Sequence, residues 1–187
     1  MKLVLSRKGF DSSSGGVPSP MFADGTMLSL PIPDEGSSLR YDHLAWRGKS
    51  VAGIVADLTQ GRIRGHHRAH LDPDLDEGSI SRPSGWMPLF GQCGSAQGHL
   101  RNQDVGPGDL FLFFGLFRGV LADGPHYRFR PGTTPRHVIW GWLQVGEVVA
   151  VDNAGTRMAW ARYHPHFHRR ADPLNTWYVS GGRPPVG

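Results

Sequence analysis

Two long apolar runs in the second half of the chain constrain its fold more than anything else in it. "GDLFLFFGLF", ending at Phe117, and "HVIWGWLQVGEVVAVD", from His137 to Asp152, are dense in aromatic and β-branched residues. Such residues suit a pleated, half-buried surface, and the flanking glycines and prolines bound each run as a strand. Gly141 and Gly146 interrupt the second run, where a bulge or a bend is expected. "HYRFR" between the two runs alternates like a half-buried strand, and "NTWYVS" near the end reads as one more. With 26 glycines and 15 prolines in 187 residues, the rest of the chain must be short elements joined by many turns.

The first half carries fewer signals. "KLVLS" is a short apolar run consistent with a buried strand, and "GTMLSLPIP" is a strand candidate closed by prolines that cannot donate to a ladder. "DEGSSLRYD" is a polar connection. The best helix is "SVAGIVADLTQGR": Val51, Ile54, Val55 and Leu58 fall at i, i+3, i+4 and i+7. Ser50 is its expected N-cap and Gly61 its stop. From Gly61 to about Gly98 no periodicity shows, although Trp86, Leu89 and Phe90 can anchor this stretch to a core. The expected architecture is one α+β domain over residues 1–180, built on a strongly bent or barrel-like sheet with one or two helices. Residues 181–187 are expected to form a flexible tail.

Composition removes several classes. The longest apolar stretch, Leu110 to Phe117, falls far short of the about 20 residues that span a bilayer, so no membrane partner is expected. The opening "MKLVLSRKGF" is too short and too polar for a secretory signal, and a cytoplasmic location follows as the default expectation. A single cysteine, Cys93, excludes an internal disulfide framework and a cysteine-based zinc cluster, and no disulfide-linked partner is expected. The formal net charge is +4, and lysine occurs only at 2, 8 and 49, so the cations are chiefly arginine. A guanidinium fork suits phosphates and base edges, and the balance permits a nucleic-acid partner.

Four stretches carry candidate chemistry, each with a plain structural alternative. In "LSRKGFDSSSGGVPSP" the cations Arg7 and Lys8 end a strand, Asp11 lies four residues beyond Arg7, and Gly15 and Gly16 permit positive φ and close approach of a ligand. The alternative is an Arg7–Asp11 pair around a tight turn. "HHRAHLDPDLD" places His66, His67 and His70 beside Asp72, Asp74 and Asp76: a metal set, a His–Asp general base, or turn chemistry. "FGQCGSAQGHLRNQDVGPGD" crowds Gln92, Gln97, His99, Asn102 and Gln103 into what reads as a loop, either to bind a base edge or to satisfy buried backbone. "YHPHFHRR" would put His164, His166 and His168 on one face of a strand, beside Arg169 and Arg170, either as a metal site or as a basic surface.

"LSRKGFDSSSGGVPSPMFADGTMLSLPIP", "HLDPDLD", "RPSGWMPLFGQCGSAQGHLRNQDVGPGDLFLFFGLFR" and "HVIWGWLQVGEVV" together resemble the nucleotide modification associated domain 3 family. The resemblance runs from Lys2 to about Ser180. It implies an association with base modification, and the positions inside its motifs are Arg7, Asp11, Asp24, His70, Asp72, Gln97 and His99. A shorter likeness, in "GPGDLFLFFGLF" and the Gly-interrupted strand after it, is to PUA-like and EVE-like barrels that hold nucleobases. The first expectation is therefore an enzyme acting on a nucleobase or nucleotide of DNA or RNA. Its catalytic groups would be Asp11, Asp72 and His99, and its binding groups Arg7, Lys8, Gly15, Gly16, Gln97, Asn102 and Trp86. The alternatives are a non-catalytic reader of a modified or flipped base, with Trp86, Trp140 and Trp142 as aromatic walls, and a metal-dependent hydrolase or oxygenase. No bound metal is expected, because the histidines sit beside Pro and Arg rather than in i, i+4 pairs on a helix; no other cofactor follows from the residues. An enzyme should hold a His or carboxylate by a second residue, facing an open pocket, whereas a reader needs only an aromatic cage.

Overall fold

The computed structural model describes residues 1–169 and 171–182. In chain order the strands and α-helices are β1 (Leu3–Arg7), β2 (Ser19–Met21), β3 (Ile32–Pro33), β4 (Ala45–Trp46), β5 (Lys49–Ser50), α1 (Val51–Leu58), β6 (Ala69–His70), β7 (Leu89–Gln92), α2 (Gly94–Asn102), β8 (Leu110–Asp123), β9 (His126–Phe129), β10 (Arg136–Ala150) and β11 (Thr176–Ser180). The fold is mixed α+β with few helices and one large mixed sheet.

The two apolar runs become β8 and β10, the spine of a seven-stranded sheet of order β1-β8-β10-β11-β7, with β2 and β9 also pairing with β8. β1 and β2 run parallel to β8, while β10 and β9 run antiparallel to it. The order ends at β1 and at β7, so among the described residues the strands do not close into a barrel. Register shifts fall between Ile139 and Gly141 and between Val145 and Glu147, where the glycines predicted irregularity. These bulges bend β10 locally, and two separate edges remain.

Alternation along β8 buries Phe111, Phe113 and Phe117. The first two meet Phe90, Tyr178 and Leu143 in an aromatic core layer. α1 forms as its periodicity predicts, with Ser50 Oγ accepting from the Gly53 N–H and Gly61 at φ +76°. Its buried face packs with Phe10, Leu30 and Tyr41 in a second cluster. A third cluster joins Leu89, Val149, Val151 and Trp177.

Three expectations are corrected. "KLVLS" forms a strand at the edge of the sheet, and Leu3 and Leu5 are 62% and 66% exposed. "GQCGSAQGHL" is not a loop: Gly94–Asn102 is helical, with only Gln97 and Leu100 buried, too few apolar positions to show a stripe in sequence. "YHPHFHRR" is not a strand, since Pro165–His168 is a turn of 3-10 helix with Pro at its start and His164 as the N-cap. A proline lacks the N–H that a ladder needs but fits the first helical turn. Of the expected tail, Gly181 stays on the sheet through a 3.1 Å bond from its N–H to Gln144 O, and residues 183–187 lie outside the described residues.

Candidate functional site

The site is assembled where the C-terminal end of β1 meets the segment after β6. Side chains alternate along β1, so Leu3, Leu5 and Arg7 share the exposed side, while Val4 and Ser6 face the covered one. The Lys8 N–H continues the ladder to Phe114 O (2.8 Å), and its side chain turns inward, with Nζ 4.4 Å from the centre of the Phe90 ring. β6 pairs with β3 and fixes His70 opposite Ile32. Beyond it, Asp74 bridges to Leu89, which lays Asp72 alongside β7. The 3-10 turn after His164 drops His166 onto β7 at Gly91, where a Cβ would stand 2.4 Å from the imidazole.

Asp72 is at the centre, its side chain wholly buried. Oδ1 accepts from the Gly91 N–H (2.6 Å), and Oδ2 pairs with Lys8 Nζ (3.1 Å). Around the same carboxylate stand His70 Nε2 at 3.7 Å, His164 Nε2 at 3.3 Å and His166 Nε2 at 3.9 Å. Burial alone would raise the Asp72 pKa; the Lys8 ammonium, His164 and His70 outweigh it and hold the carboxyl well below its usual range. A buried anion of this kind requires such partners.

The hydrogen bonds behind the imidazoles fix their protons. His70 Nδ1 lies 2.6 Å from Asp34 Oδ2, and a carboxylate only accepts, so Nδ1 carries hydrogen. Asp34 is itself held by Arg169 Nη2 (3.0 Å) and the Gly36 N–H (2.9 Å), and the His70 bond above all drives its pKa far down. Burial opposes charging of His70, but Asp34 and Asp72 outweigh it and raise its pKa. His166 Nδ1 donates to Asn175 Oδ1 (2.7 Å), an assignment forced because Asn175 Nδ2 donates to His166 O (2.7 Å) and Arg169 O (3.2 Å). Burial pushes the His166 pKa down to about 4 against the pull of Asp72. His164 is the opposite tautomer. Its Nδ1 accepts from Trp177 Nε1–H (3.2 Å) and the His166 N–H (3.3 Å), which leaves hydrogen on the Nε2 that faces Asp72 without full hydrogen-bond geometry.

Above this cluster opens a cavity of about 220 Å³ lined by Arg7, Lys8, Asp11, Ser14, Ser29–Ile32, His70–Pro73 and Trp140. It is smaller than the about 300–1,000 Å³ of most ligand clefts. Arg7 stands half-exposed, with Nη2 2.8 Å from Asp11 Oδ2. The second Asp11 oxygen accepts from Ser13 N–H, Ser13 Oγ and Ser14 N–H at 2.7–2.8 Å. The tight-turn alternative for the opening segment is therefore present, and its turn lines the cavity. Gly15 and Gly16 take φ +83° and +75°, but a Cβ at Gly15 would meet the Phe10 ring at 2.3 Å and one at Gly16 the Arg62 guanidinium at 3.0 Å. Both glycines face the chain's own groups.

The remaining predicted residues lie apart from this cluster. His99 lines a different cavity of about 670 Å³ beside β1, with Ser6, Phe90 and Gln92. Gln97 is buried and accepts from Tyr178 Oη (3.0 Å), and Asn102 is exposed at the end of α2. Trp86 is buried in an internal network: its Nε1–H donates to Tyr163 Oη (2.8 Å), and the Arg82 that pairs with Asp74 stacks on its ring (4.4 Å). Asp24 accepts from Thr26 within its own turn. His66 and His67 stack on one another, away from Asp72's partners. His168 and Arg169 are exposed, and Arg170 lies outside the described residues. Sequence reading missed Asn175 and Asp34, and it considered His166 only on a strand face, where the structure has a 3-10 turn. The one signal was Pro165, which argues for a turn that aims His164 and His166 inward.

The fold and the site define an α+β domain whose mixed sheet carries a polar cavity lined by His70 and Asp72, with His164 and His166 packed beside the same carboxylate. The chain belongs to the nucleotide modification associated domain 3 family, whose model matches residues 2–187. No curated protein and no solved structure matches it.

Proposed function

We propose that this chain is an enzyme of nucleotide modification that acts on a nucleobase or nucleotide, free or in DNA or RNA, held in the cavity between the opening turn and His70–Pro73. One observation carries the reading: His70 is held from behind by Asp34 and faces Asp72 and an open pocket. An imidazole positioned by a carboxylate and presented to a cavity is what acid–base or ligand-activating chemistry requires, and simple adhesion needs no such group. His70 and Asp72 form the reacting end. Arg7, at the rim, takes the anionic group of the ligand with the edge of its guanidinium that Asp11 leaves free. Asp11 shapes the turn that aims Arg7, and Lys8 balances Asp72. His99 has no part in this cavity and is placed outside the reacting end.

The test is turnover. Nucleoside monophosphates and short oligonucleotides are incubated with the purified chain, and products are read by mass spectrometry. The expected result is a mass change in one of them that falls at least 100-fold in the His70→Gln variant, with the circular dichroism spectrum unchanged. Binding without any conversion would overturn the enzyme reading.

That outcome would favour a second reading, a base reader, for which one observation speaks. An apolar cavity of about 340 Å³, lined by Trp46, Trp140 and Trp142, adjoins the polar one and shares Ser29, Pro31, Leu71, Pro73 and Trp140 with it. In this reading the bulged β10 would support a flipped base against Trp140, as in a PUA- or EVE-like domain.

A further inference from the structure

We propose that His70 Nε2, His166 Nε2 and Asp72 Oδ2 bind one divalent first-row transition ion, zinc or iron(II), at the floor of the cavity. The inference rests on the reading above for what such an ion would act on, and it makes His70 and Asp72 ligands that activate through the ion rather than an acid–base pair; the site itself is argued from the cluster.

The three ligand atoms lie within 4.8 Å of one another. Bonds of about 2.0–2.2 Å put neighbouring ligands of one ion about 3–3.6 Å apart. The observed separations of 3.7 and 3.9 Å from Asp72 Oδ2 need to close by only a few tenths of an ångström. Proximity alone would be weak, because acidic and imidazole groups often gather without an ion.

The second observation is the outer hydrogen bonding. Metal-binding histidines donate their far N–H to a carboxylate or carbonyl, which fixes the tautomer and points the other nitrogen at the ion. His70 does this to Asp34 and His166 does it to Asn175, through two unrelated parts of the chain. Asn175 is in turn locked by two backbone carbonyls, so its oxygen can face only His166. Among the described residues the Nε2 of His166 makes no hydrogen bond; its polar neighbour is the Asp72 carboxylate, 3.9 Å away. Gly91 supplies the room for that ring. His164, by contrast, presents a hydrogen on Nε2 and is excluded as a ligand by its own bonds.

Chemistry then narrows the ion. Two imidazoles and one carboxylate suit zinc and non-haem iron, and calcium or magnesium would demand more oxygen. His70 and Asp72 line the cavity, so the open positions of the ion would face the ligand. Lys8 Nζ, 3.1 Å from Asp72 Oδ2, is the competing cation. It sits on a flexible stem over Phe90, and the ion would displace it into the cavity that Lys8 also lines.

The experiment strips the full chain with chelator and titrates it with zinc and with cobalt(II), reading stoichiometry by calorimetry and elemental analysis and geometry by the cobalt visible bands. The expected result is one ion per chain, with affinity at least 100-fold weaker in His166→Gln and at least 10-fold tighter in Lys8→Met. Asn175→Ala should weaken binding by about 10–100-fold, the usual effect of removing an outer hydrogen bond. Asp72→Asn should abolish it, and if that variant does not fold, His166→Gln still decides. Less than a tenth of an equivalent in both wild type and Lys8→Met would overturn the site. So would stoichiometric binding undiminished by His166→Gln, which would assign the ion elsewhere. An ion bound without any nucleotide conversion leaves the metal site standing and removes the enzyme reading; conversion by a chain that takes up no ion in the titration does the reverse.

Discussion

Gly91 and Asp11 show how single positions carry this site. The ring of His166 occupies the space where any other residue at 91 would place its Cβ, and the Gly91 N–H binds Asp72. Gly91→Ala should therefore push His166 off the sheet and cost about 1–3 kcal/mol, as overpacking usually does. Thermal unfolding measures that cost, and a nucleotide titration should show weakened ligand binding with it. Asp11 acts through charge. Burial would raise its pKa, but the Ser13 hydroxyl, the N–H groups of Ser14 and Ser13, and Arg7 outweigh it and lower the value. A lowered carboxyl pKa stabilises the fold above the unfolded pKa of about 3.9, and that contribution is lost as pH falls through the folded value. Asp11→Asn should keep the turn, since an amide oxygen still accepts, yet remove this part of the acid dependence. Chemical unfolding of both proteins at pH 6 and pH 3 should give stabilities that converge at the lower pH. A constant gap would refute the assignment.

At the scale of elements, β1 and β8 are neighbours with opposite sensitivities. The exposed side of β1 carries Leu3 and Leu5, whereas β8 buries Phe113 completely between Phe90, Phe111 and Trp140. Leu5→Ser should change stability by within about 0.5 kcal/mol, as exposed substitutions do. Phe113→Ala should cost about 3–5 kcal/mol. Urea unfolding of the two variants tests the assignment of β1 to the edge, and equal losses would contradict it. The strand nonetheless matters to the site, because its register with β8 sets which of Arg7 and Lys8 turns inward. A one-residue slip would exchange them.

The whole molecule bears a net charge of +4, but the described cations near the cavity are already engaged: Arg7 with Asp11, Lys8 with Asp72 and Arg169 with Asp34. Few are left to release counterions from a polymer. If an oligonucleotide binds, log Kd should change by about 0.7–1.4 per log unit of salt, the slope of one or two phosphate contacts on a single strand. Fluorescence anisotropy between 50 and 300 mM salt, on the order of a sixfold range, reads that slope directly. A much steeper dependence would reveal a basic surface separate from this pocket. No helix among the described residues is long and apolar enough to cross a membrane.

The local signals were legible wherever one element could satisfy them alone. The stripe of α1 with Ser50 and Gly61, the strand character of β8 to β11, and the breaks at Gly141 and Gly146 all follow from periodicity and backbone freedom, which neighbouring residues decide. So does the pairing of Arg7 with Asp11, four positions apart. The position of β1 in the sheet was not legible, because an apolar run does not say whether both its faces will be covered. α2 escaped because Gln97 and Leu100 are its only buried residues, and two glycines conceal its period. The centre of the site is non-local: Lys8, Asp34, His70, Asp72, Gly91, His166 and Asn175 come from distant stretches. Each histidine's tautomer depends on a partner that only packing supplies. The sequence named Lys8, His70 and Asp72; tertiary structure alone decided that His166 completes them, because the direction of an imidazole is set by what stands behind it.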